Sequence, residues 1–163
     1  SVRTKVLGAL LASTLAAVAT YKTSNEGVKE IQQHEGVVYK AYLDVAGIPT
    51  ICTGSTAKVV LGHKATAQEC KERLQRDLAT AEAAVKRCTT AQVTQKQYDQ
   101  LTSLVFNIGG TAYCKSTLVR ELNAGRCVSA GNQFLRWRYV QGKEIKGLAT
   151  RRQHESTKFK EDC

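Results

Sequence analysis

Apolar residues recur every three or four positions along three stretches of the chain, which predicts amphipathic helices. One stretch continues to Cys88 behind the capping-box pair Thr66 and Glu69, and it predicts a helix of about 22 residues, about 33 Å long. Another follows Thr94 and is apolar on most faces through Ile108, so it predicts a buried helix. Shorter helices are predicted near 116–124, 128–137 and 149–160.

Between residues 28 and 53 the pattern changes from a helix to a hairpin. Val28, Ile31 and Glu35 fall on one face of a short helix that ends at Gly36. Residues 38–53 are typical of two strands joined by a turn. The predicted fold is therefore α+β, mostly helical, with a small hairpin lobe joined by the long helix to a larger helical lobe. The candidate N-caps of the short helix are Thr23, Ser24 and Asn25.

Residues 1–22 are predicted to be an export segment, separate from a domain over residues 23–163. Arg3 and Lys5 precede fifteen uncharged residues, numbers 6–20, and this order is typical of a secretory signal. As a helix this run would be about 22 Å long, shorter than a hydrocarbon core of about 30 Å. Only six of its residues are Leu or Val, so it is weakly apolar and is expected to enter a membrane and later leave it.

Three alternatives for this segment stay open: a cleaved signal, an uncleaved anchor that is later released, and an N-terminal core helix. Ala17 and Ala19 match the A-x-A pattern of a cleavage site. A core helix would leave the basic flank unexplained.

Charge and cysteine content narrow the classes of function. The formal net charge of +10 implies attraction to an anionic partner such as a membrane or a cell-wall polymer. The basic residues are dispersed and no nucleic-acid-binding motif occurs in the sequence, which disfavours a nucleic-acid partner. Six cysteines without metal-ligand spacing predict disulfides in an oxidising compartment rather than buried free thiols or a metal site. No cofactor is expected.

Glu35, Asp44 and Thr50 are the candidate catalytic residues. Glycoside hydrolysis needs one carboxyl group that carries a proton and another that stays ionised. Glu35 is predicted on an apolar helix face, where burial disfavours the charged form, whereas Asp44 at the end of a strand is expected to be more solvated. The Thr50 hydroxyl can hold a water molecule beside Asp44. The spacing of these residues alone is common and does not establish catalysis.

The spacing E-x8-D-x5-T, formed by Glu35, Asp44 and Thr50, resembles the catalytic signature of the phage-type lysozymes, glycoside hydrolase family 24. With its N-terminal segment, the chain is similar to the signal-anchor-release endolysins of phages. This resemblance implies an uncleaved anchor that tethers the protein to the inner membrane through residues 6–20 before release into the host periplasm. The resemblance implies a two-lobed fold with a cleft between the lobes. It also implies a muramidase that cuts the β-1,4 bond between N-acetylmuramic acid and N-acetylglucosamine in peptidoglycan. Three further stretches resemble the family, in order: "TICTGSTAKVVLGHKATAQECKERLQRDL", "QYDQLTSLVFNIGGTAYCKSTLVRELNAG" and "FLRWRYVQGKEIKGLATRRQHE".

The resemblance assigns a role to each candidate residue. Glu35 would be the general acid, and Asp44 and Thr50 would position a water molecule for an inverting reaction. Phe106 and Asn107 would line the cleft. In the competing interpretation, Phe106 is a core residue and the Asn107 amide caps a helix. The alternatives for the whole protein are a lysozyme with a cleaved signal and a non-catalytic cationic protein that binds walls or membranes. We expect a monomer.

Two positions depart from the family pattern, because Cys52 stands where many members have Gly and Ser55 where many have His. Cys52 suits a disulfide with Cys70, whereas Ser55 puts in doubt a histidine behind Asp44. The expected disulfides are Cys52–Cys70, Cys114–Cys127 and Cys88–Cys163, one of fifteen possible pairings.

The remaining charged candidates are expected to be structural. His34 is predicted to be a helix-end residue rather than a second catalyst, and His63 and His154 are predicted on the surface. Arg151 and Arg152 are predicted on a solvated helix face.

Overall fold

A computed structural model describes residues 15–163 of the chain. Helices dominate this region and three short antiparallel strand pairs accompany them, so the predicted α+β class is confirmed. The seven α-helices of the described region are α1 (Asn25–Glu35), α2 (Ala67–Cys88), α3 (Gln95–Ile108), α4 (Gly110–Cys114), α5 (Thr117–Asn123), α6 (Cys127–Gln133) and α7 (Lys146–Lys160). The strand pairs are β1 (Ala16–Ala17) with β4 (Gln92–Val93), β2 (Val38–Leu43) with β3 (Pro49–Cys52), and β5 (Tyr139–Val140) with β6 (Lys143–Glu144).

The small lobe is built on the β2–β3 hairpin, as the sequence predicts. Ala41, Ile51 and the disulfide-bonded Cys52 and Cys70 form its buried core. Helix α2 begins at this lobe with a Thr66 cap and runs for 22 residues into the helical lobe. Its length, about 33 Å, is enough to link the two lobes.

Helix α3 is the centre of the larger helical lobe. Tyr98, Leu101 and Leu104 on this helix are fully buried, and α2 and α7 both pack against it. A reciprocal capping box between Thr94 and Gln97 starts the helix, as the sequence predicts. The helix is therefore surrounded by protein on most faces, which explains its apolar pattern.

Helix α1 carries Glu35 at its last position. Ser24 is the N-cap: its Oγ accepts a hydrogen bond from the backbone N of Gly27 at 3.1 Å, which settles the choice among the three cap candidates. The helix stops because Gly36 adopts a φ of 69°, a left-handed conformation that favours glycine. Ile31 is buried on the inner face of α1.

The later helices differ from the sequence prediction at their ends. Helix α4, a short turn after Gly109, is absent from the prediction because five residues are too few to show a period. The predicted helix over 128–137 becomes α6 followed by a 3-10 turn over Phe134–Arg136. Helix α7 begins at Lys146 rather than at residue 149.

Part of the predicted anchor packs on the helical lobe. Ala16 and Ala17 pair with Val93 and Gln92, and Val18 is buried in the main core. The core-helix alternative is wrong for residues 16–20, which form this strand and a 3-10 turn. Residues 6–14 of the anchor lie outside the described residues, and the domain boundary after residue 22 stays a prediction. No helix within residues 15–163 has the length and apolar character needed to cross a membrane.

All six cysteines form disulfides, but only one expected pair is confirmed. Cys52 bonds Cys70, whereas the expected Cys114–Cys127 and Cys88–Cys163 pairs are wrong. Helix α4 packs against α2 and brings Cys114 to the end of that helix, and the chain after α7 brings Cys163 to the start of α6. The observed bonds are Cys52–Cys70, Cys88–Cys114 and Cys127–Cys163.

Candidate active site

Glu35 lies between a buried arginine and a glycine turn. Its Oε1 is 2.5 Å from Nη1 of Arg151. On the other side, a Cβ added at Gly54 would lie 2.6 Å from Glu35 Oε2, so only a glycine leaves room for this carboxylate. The Glu35 side chain is 17% exposed. The predicted apolar environment is therefore wrong, because a buried guanidinium contacts the carboxylate.

Arg151 belongs to a buried network of charged side chains. Its Nη2 donates to the backbone O of Ser103 at 3.1 Å, and its Nε lies 3.3 Å from Oε1 of Glu155. Arg152 donates to the same Glu155 oxygen at 2.5 Å. Burial raises the pKa of Glu155 and lowers the pKa of Arg152, because removal from water disfavours the charged form of both side chains.

The prediction of a solvated face for the two arginines is wrong. Arg151 is 5% exposed and Arg152 is fully buried. Arg151 and Glu155 are four residues apart on α7, so they share the helix face that packs against α3. The helix buries these ion pairs as well as Phe159, a pattern that hydrophobic periodicity does not detect.

Asp44 opens the turn between β2 and β3 and is held by the turn backbone. Its Oδ1 accepts hydrogen bonds from the backbone N of Ala46 at 2.8 Å and of Ile48 at 2.9 Å. Its own backbone N donates to the O of Ile48 at 3.0 Å. Oδ1 makes both side-chain hydrogen bonds, so the turn orients the carboxylate through this one oxygen.

Thr50 is buried on β3 directly after this turn. Its Oγ1 donates to the backbone O of Ile48 at 2.8 Å. The hydroxyl oxygen keeps acceptor capacity once its hydrogen is used in this way. Asp44 and Thr50 therefore both bond to Ile48, as the predicted hairpin requires.

Tyr42 lies near the candidate catalytic residues, although its position in the sequence did not identify it as a candidate. It is the Cα partner of Thr50 in the β2–β3 register, and it precedes Asp44 by two residues. Burial raises the pKa of the Tyr42 hydroxyl, and the negative charges of Glu35 and Asp44 raise it further. The available sequence signal is the spacing of two residues between Tyr42 and Asp44, because alternate residues of an extended chain share a face.

A cleft with a volume of about 660 Å³ opens between the lobes. Gly54 and Thr56 line it from the small lobe, Asp77 from α2, and Phe106 from α3. Phe106 also packs against the buried core of the helical lobe. Asn107 is exposed, and its Oδ1 accepts a hydrogen bond from Arg152 Nη1 at 2.8 Å.

Ser55 braces the loop that carries Gly54. Arg73 Nη1 donates to Ser55 Oγ at 3.3 Å and to the backbone O of Ala57 at 2.8 Å. Burial raises the pKa of Asp77, and a hydrogen bond with Ser55 acts in the opposite direction. Ser55 and Arg73 thus hold the loop beside Glu35 without a histidine.

His34 precedes Glu35 at the end of α1, and its ring packs edge-on against His154 with 5.3 Å between the ring centroids. Burial, together with the charge of Arg151, lowers the pKa of His34 to about 4. His34 is therefore uncharged near neutral pH. His63 and His154 are both exposed, as predicted. No group of His, Cys, Asp and Glu side chains within residues 15–163 is arranged to hold a metal ion.

Comparison with known proteins agrees with the two-lobed fold and its cleft. The family model described as phage lysozyme matches residues 32–155. A SAR-endolysin of Enterobacteria phage P21 is 35% identical over 156 residues, which is 95% of this chain and 93% of that relative. The solved structure of a P22 lysozyme mutant matches with a TM-score of 0.71 and 36% identity, covering 85% of this chain and 98% of that one.

The muramidase domain of SpmX from Asticaccaulis excentricus also matches, with a TM-score of 0.76 and 31% identity, covering 85% of this chain and 97% of that domain. The phage-lysozyme resemblance and the predicted lysozyme activity are thereby confirmed. The chain belongs to the phage lysozyme family and is a peptidoglycan-hydrolysing endolysin, a glycoside hydrolase of the lysozyme type.

Proposed function

We propose that Glu35 is the general acid of this hydrolase, and that Asp44 and Thr50 activate and position the attacking water. The observation that carries this proposal is that all three residues meet at the β2–β3 hairpin and the loop after it. Asp44 and Thr50 both bond to Ile48, and the Glu35 carboxylate lies against Gly54, two residues after β3. A proton donor, a carboxylate and a hydroxyl are the groups that hydrolysis of a glycosidic bond requires.

The proposed reaction begins with Glu35 protonated. Glu35 then donates its proton to the oxygen that links N-acetylmuramic acid to N-acetylglucosamine. The developing charge on the sugar ring is neutralised as a water molecule attacks.

Asp44 acts as the base for that water. Its oriented carboxylate takes a proton from the water, while Thr50 Oγ1 accepts a hydrogen bond from the second water hydrogen. Attack occurs on the ring face opposite the leaving group, so the configuration at the anomeric carbon inverts. No covalent sugar–enzyme intermediate forms.

We also propose Phe106 and Asn107 as substrate contacts. The half-buried Phe106 ring lines the cleft and offers an apolar surface to the face of a sugar ring. Asn107 is exposed and its Oδ1 is used by Arg152, which leaves the amide nitrogen to donate to the substrate.

The decisive experiment replaces the proposed acid while keeping its shape. Glu35→Gln should abolish wall lysis, measured as loss of turbidity, because an amide has no proton to donate to the leaving oxygen. Glu26→Gln is the matched control, since Glu26 is also on α1 but its side chain is 79% exposed. Substantial lysis by folded Glu35→Gln protein would remove Glu35 from the acid role.

For the N-terminal segment we propose an uncleaved anchor. Residues 6–20 would hold the exported enzyme at the inner membrane until it is released as a monomer into the host periplasm. Several relatives are named SAR-endolysins, which supports this proposal. The three disulfides support an oxidising compartment.

The packing of Ala16, Ala17 and Val18 on the helical lobe also supports release. These residues pair with β4 and enter the core, which they cannot do while they lie in lipid. The same residues would therefore exchange a lipid environment for a protein one when the enzyme leaves the membrane.

A stronger anchor tests this proposal. Replacing Gly8, Ser13 and Thr14 with Leu should favour insertion by about 1–3 kcal/mol. Host cells that express the variant should lyse late or not at all, with the protein in the membrane fraction. Unchanged lysis timing with neither protein in membranes would refute the anchor. A shortened N-terminus in periplasmic enzyme would establish a cleaved signal instead.

A further inference from the structure

The exposed large apolar side chains of the described chain are concentrated in the small lobe. Eight of eleven lie between residues 37 and 61, and the other three are Leu15, Val128 and Tyr139. An exposed apolar cluster of this kind commonly marks an interaction surface. Five aliphatic side chains, exposed by 47% to 70%, form what we call the hairpin tip: Leu43, Val45, Ile48, Val60 and Leu61.

Strand register brings these five residues to one end of the lobe. Leu43 is the last residue of β2 and pairs with Pro49, so Val45 and Ile48 lie in the turn beyond it. A second turn lies at residues 60–63. The segment that follows it pairs antiparallel with β2, and Ala41 N donates to the O of His63 at 2.9 Å.

The second turn therefore lies at the same end as the first. His63 N donates to the O of Val60 at 3.1 Å, which closes a tight turn around Leu61. Because the two segments are antiparallel, Leu61 lies further toward the Leu43 end of β2 than His63 does. Two turns with aliphatic side chains are thus adjacent at the free end of the small lobe.

Basic residues outnumber acidic ones in the segment that forms the tip. Residues 36–65 contain Lys40, Lys58 and Lys64 but a single acidic residue, Asp44. Oδ1 of Asp44 already accepts two backbone hydrogen bonds within the turn. A cluster of aliphatic side chains beside lysines complements the interface of an anionic bilayer, which offers acyl chains next to negative headgroups.

The glycan fits this surface less well. The five side chains include no aromatic ring and no hydrogen-bonding group. Sugar recognition depends on such groups.

We propose that the hairpin tip is a membrane-contact surface that inserts its aliphatic side chains into the headgroup region of an anionic lipid bilayer. The tip is distinct from residues 6–20 and acts on the folded enzyme. Because Asp44 opens the turn that carries Val45 and Ile48, a docked tip brings Asp44 to the bilayer surface.

The test places an environment-sensitive fluorophore at the tip of the full-length protein. All six native cysteines are in disulfides, so the thiol of Val60→Cys is the one available for labelling. Val128→Cys is the matched control, since Val128 is 56% exposed on the helical lobe. The probe is read with vesicles of phosphatidylethanolamine and phosphatidylglycerol, and with vesicles of phosphatidylcholine alone.

The expected result is a blue shift and quenching by brominated acyl chains for the residue-60 label on anionic vesicles, and neither for the residue-128 label. Equal responses of the two labels would overturn the proposal, even if the whole protein binds through residues 6–20. A residue-60 response to purified peptidoglycan but not to vesicles would also overturn it and identify a wall-binding surface.

A second pair of variants guards against misfolding of the labelled protein. Val60→Ser with Leu61→Ser should weaken partition onto anionic vesicles by at least about fivefold, because less apolar surface enters the interface. Val128→Ser should change it less than about twofold. Equal partition of the two variants would overturn the proposal. Lysis of isolated walls should be unchanged, because neither substitution touches the cleft.

Discussion

Arg151 and Glu35 are 116 residues apart in the chain, yet a guanidinium nitrogen of one lies 2.5 Å from a carboxylate oxygen of the other. The contact joins the end of α1 to α7 and fixes the proposed acid from the helical lobe. Arg151 in turn is held by Ser103 O and Glu155. The position of Glu35 thus depends on a buried network as much as on its own helix.

Removing this arginine should cost stability as well as activity. Arg151→Met removes the cation that contacts both Glu35 and Glu155. Breaking a buried ion pair typically lowers the free energy of unfolding by about 3–5 kcal/mol. Urea unfolding at neutral pH measures the loss. The matched control is Arg126→Met, because Arg126 pairs with Glu121 on the surface and should be nearly neutral. Equal stability of the two variants would contradict a structural role for Arg151.

The glycine beside Glu35 provides a second test. Gly54→Ala places a methyl group 2.6 Å from Glu35 Oε2, so the carboxylate must move and lysis should fall by at least about tenfold. Gly47→Ala is the control. Both glycines have positive φ and both changes cost about 1–2 kcal/mol of backbone strain, but Gly47 has open space around it. Comparable lysis rates for the two stable variants would show that Gly54 does not constrain Glu35.

The hairpin residues should differ in how strongly they affect lysis. Asp44→Asn keeps an oxygen for the two turn hydrogen bonds but loses the base, so lysis should fall by about 10² to 10⁴ with little change in fold. Thr50→Ser keeps the hydroxyl and should stay within about fivefold of the unmodified enzyme. Circular dichroism and turbidity loss measure the two effects. A mild Asp44→Asn phenotype would remove Asp44 from the proposed base role.

Acid should destabilise the fold through His34. Its pKa is lowered to about 4 in the folded protein, whereas the unfolded chain takes up this proton near pH 6.5. The unfolded state therefore binds the proton first as pH falls, and stability is lost between about pH 6.5 and about pH 4.

Allowing for the partial exposure of the ring, the loss is about 1–2 kcal/mol. His34→Gln should remove that part of the pH dependence, measured by urea unfolding at pH 7 and at pH 5. His63→Gln, on an exposed loop, should leave it intact. An unchanged pH dependence in His34→Gln would contradict the assignment.

The disulfides should be needed for durability more than for chemistry. Non-reducing peptide mapping should recover linked peptides for Cys88–Cys114 and Cys127–Cys163. Replacing Cys127 and Cys163 together with Ser should cost about 2–4 kcal/mol while lysis at low temperature persists. A linked Cys114–Cys127 peptide would contradict the fold around α6.

Local pattern in the sequence determined the helices and the hairpin. The capping pair Thr94–Gln97, the glycine after Glu35 and the apolar period of α2 act within a few residues, so their effect can be predicted without knowing the fold. The proximity of Asp44 and Thr50 follows from the same cause, because one turn joins them. Even the choice of Ser24 as cap needed the structure only to select among three adjacent residues.

Tertiary packing decided what surrounds these elements. Nothing near Glu35 in the sequence indicates that Arg151 would bind it or that Gly54 would approach it, since both come from distant parts of the chain. The disulfide partners of Cys88 and Cys163 depend likewise on which helices meet. Periodicity reports which face of an element is buried, but not which other face covers it. Periodicity does not predict buried ion pairs, because a charged residue is expected in solvent until its partner is known.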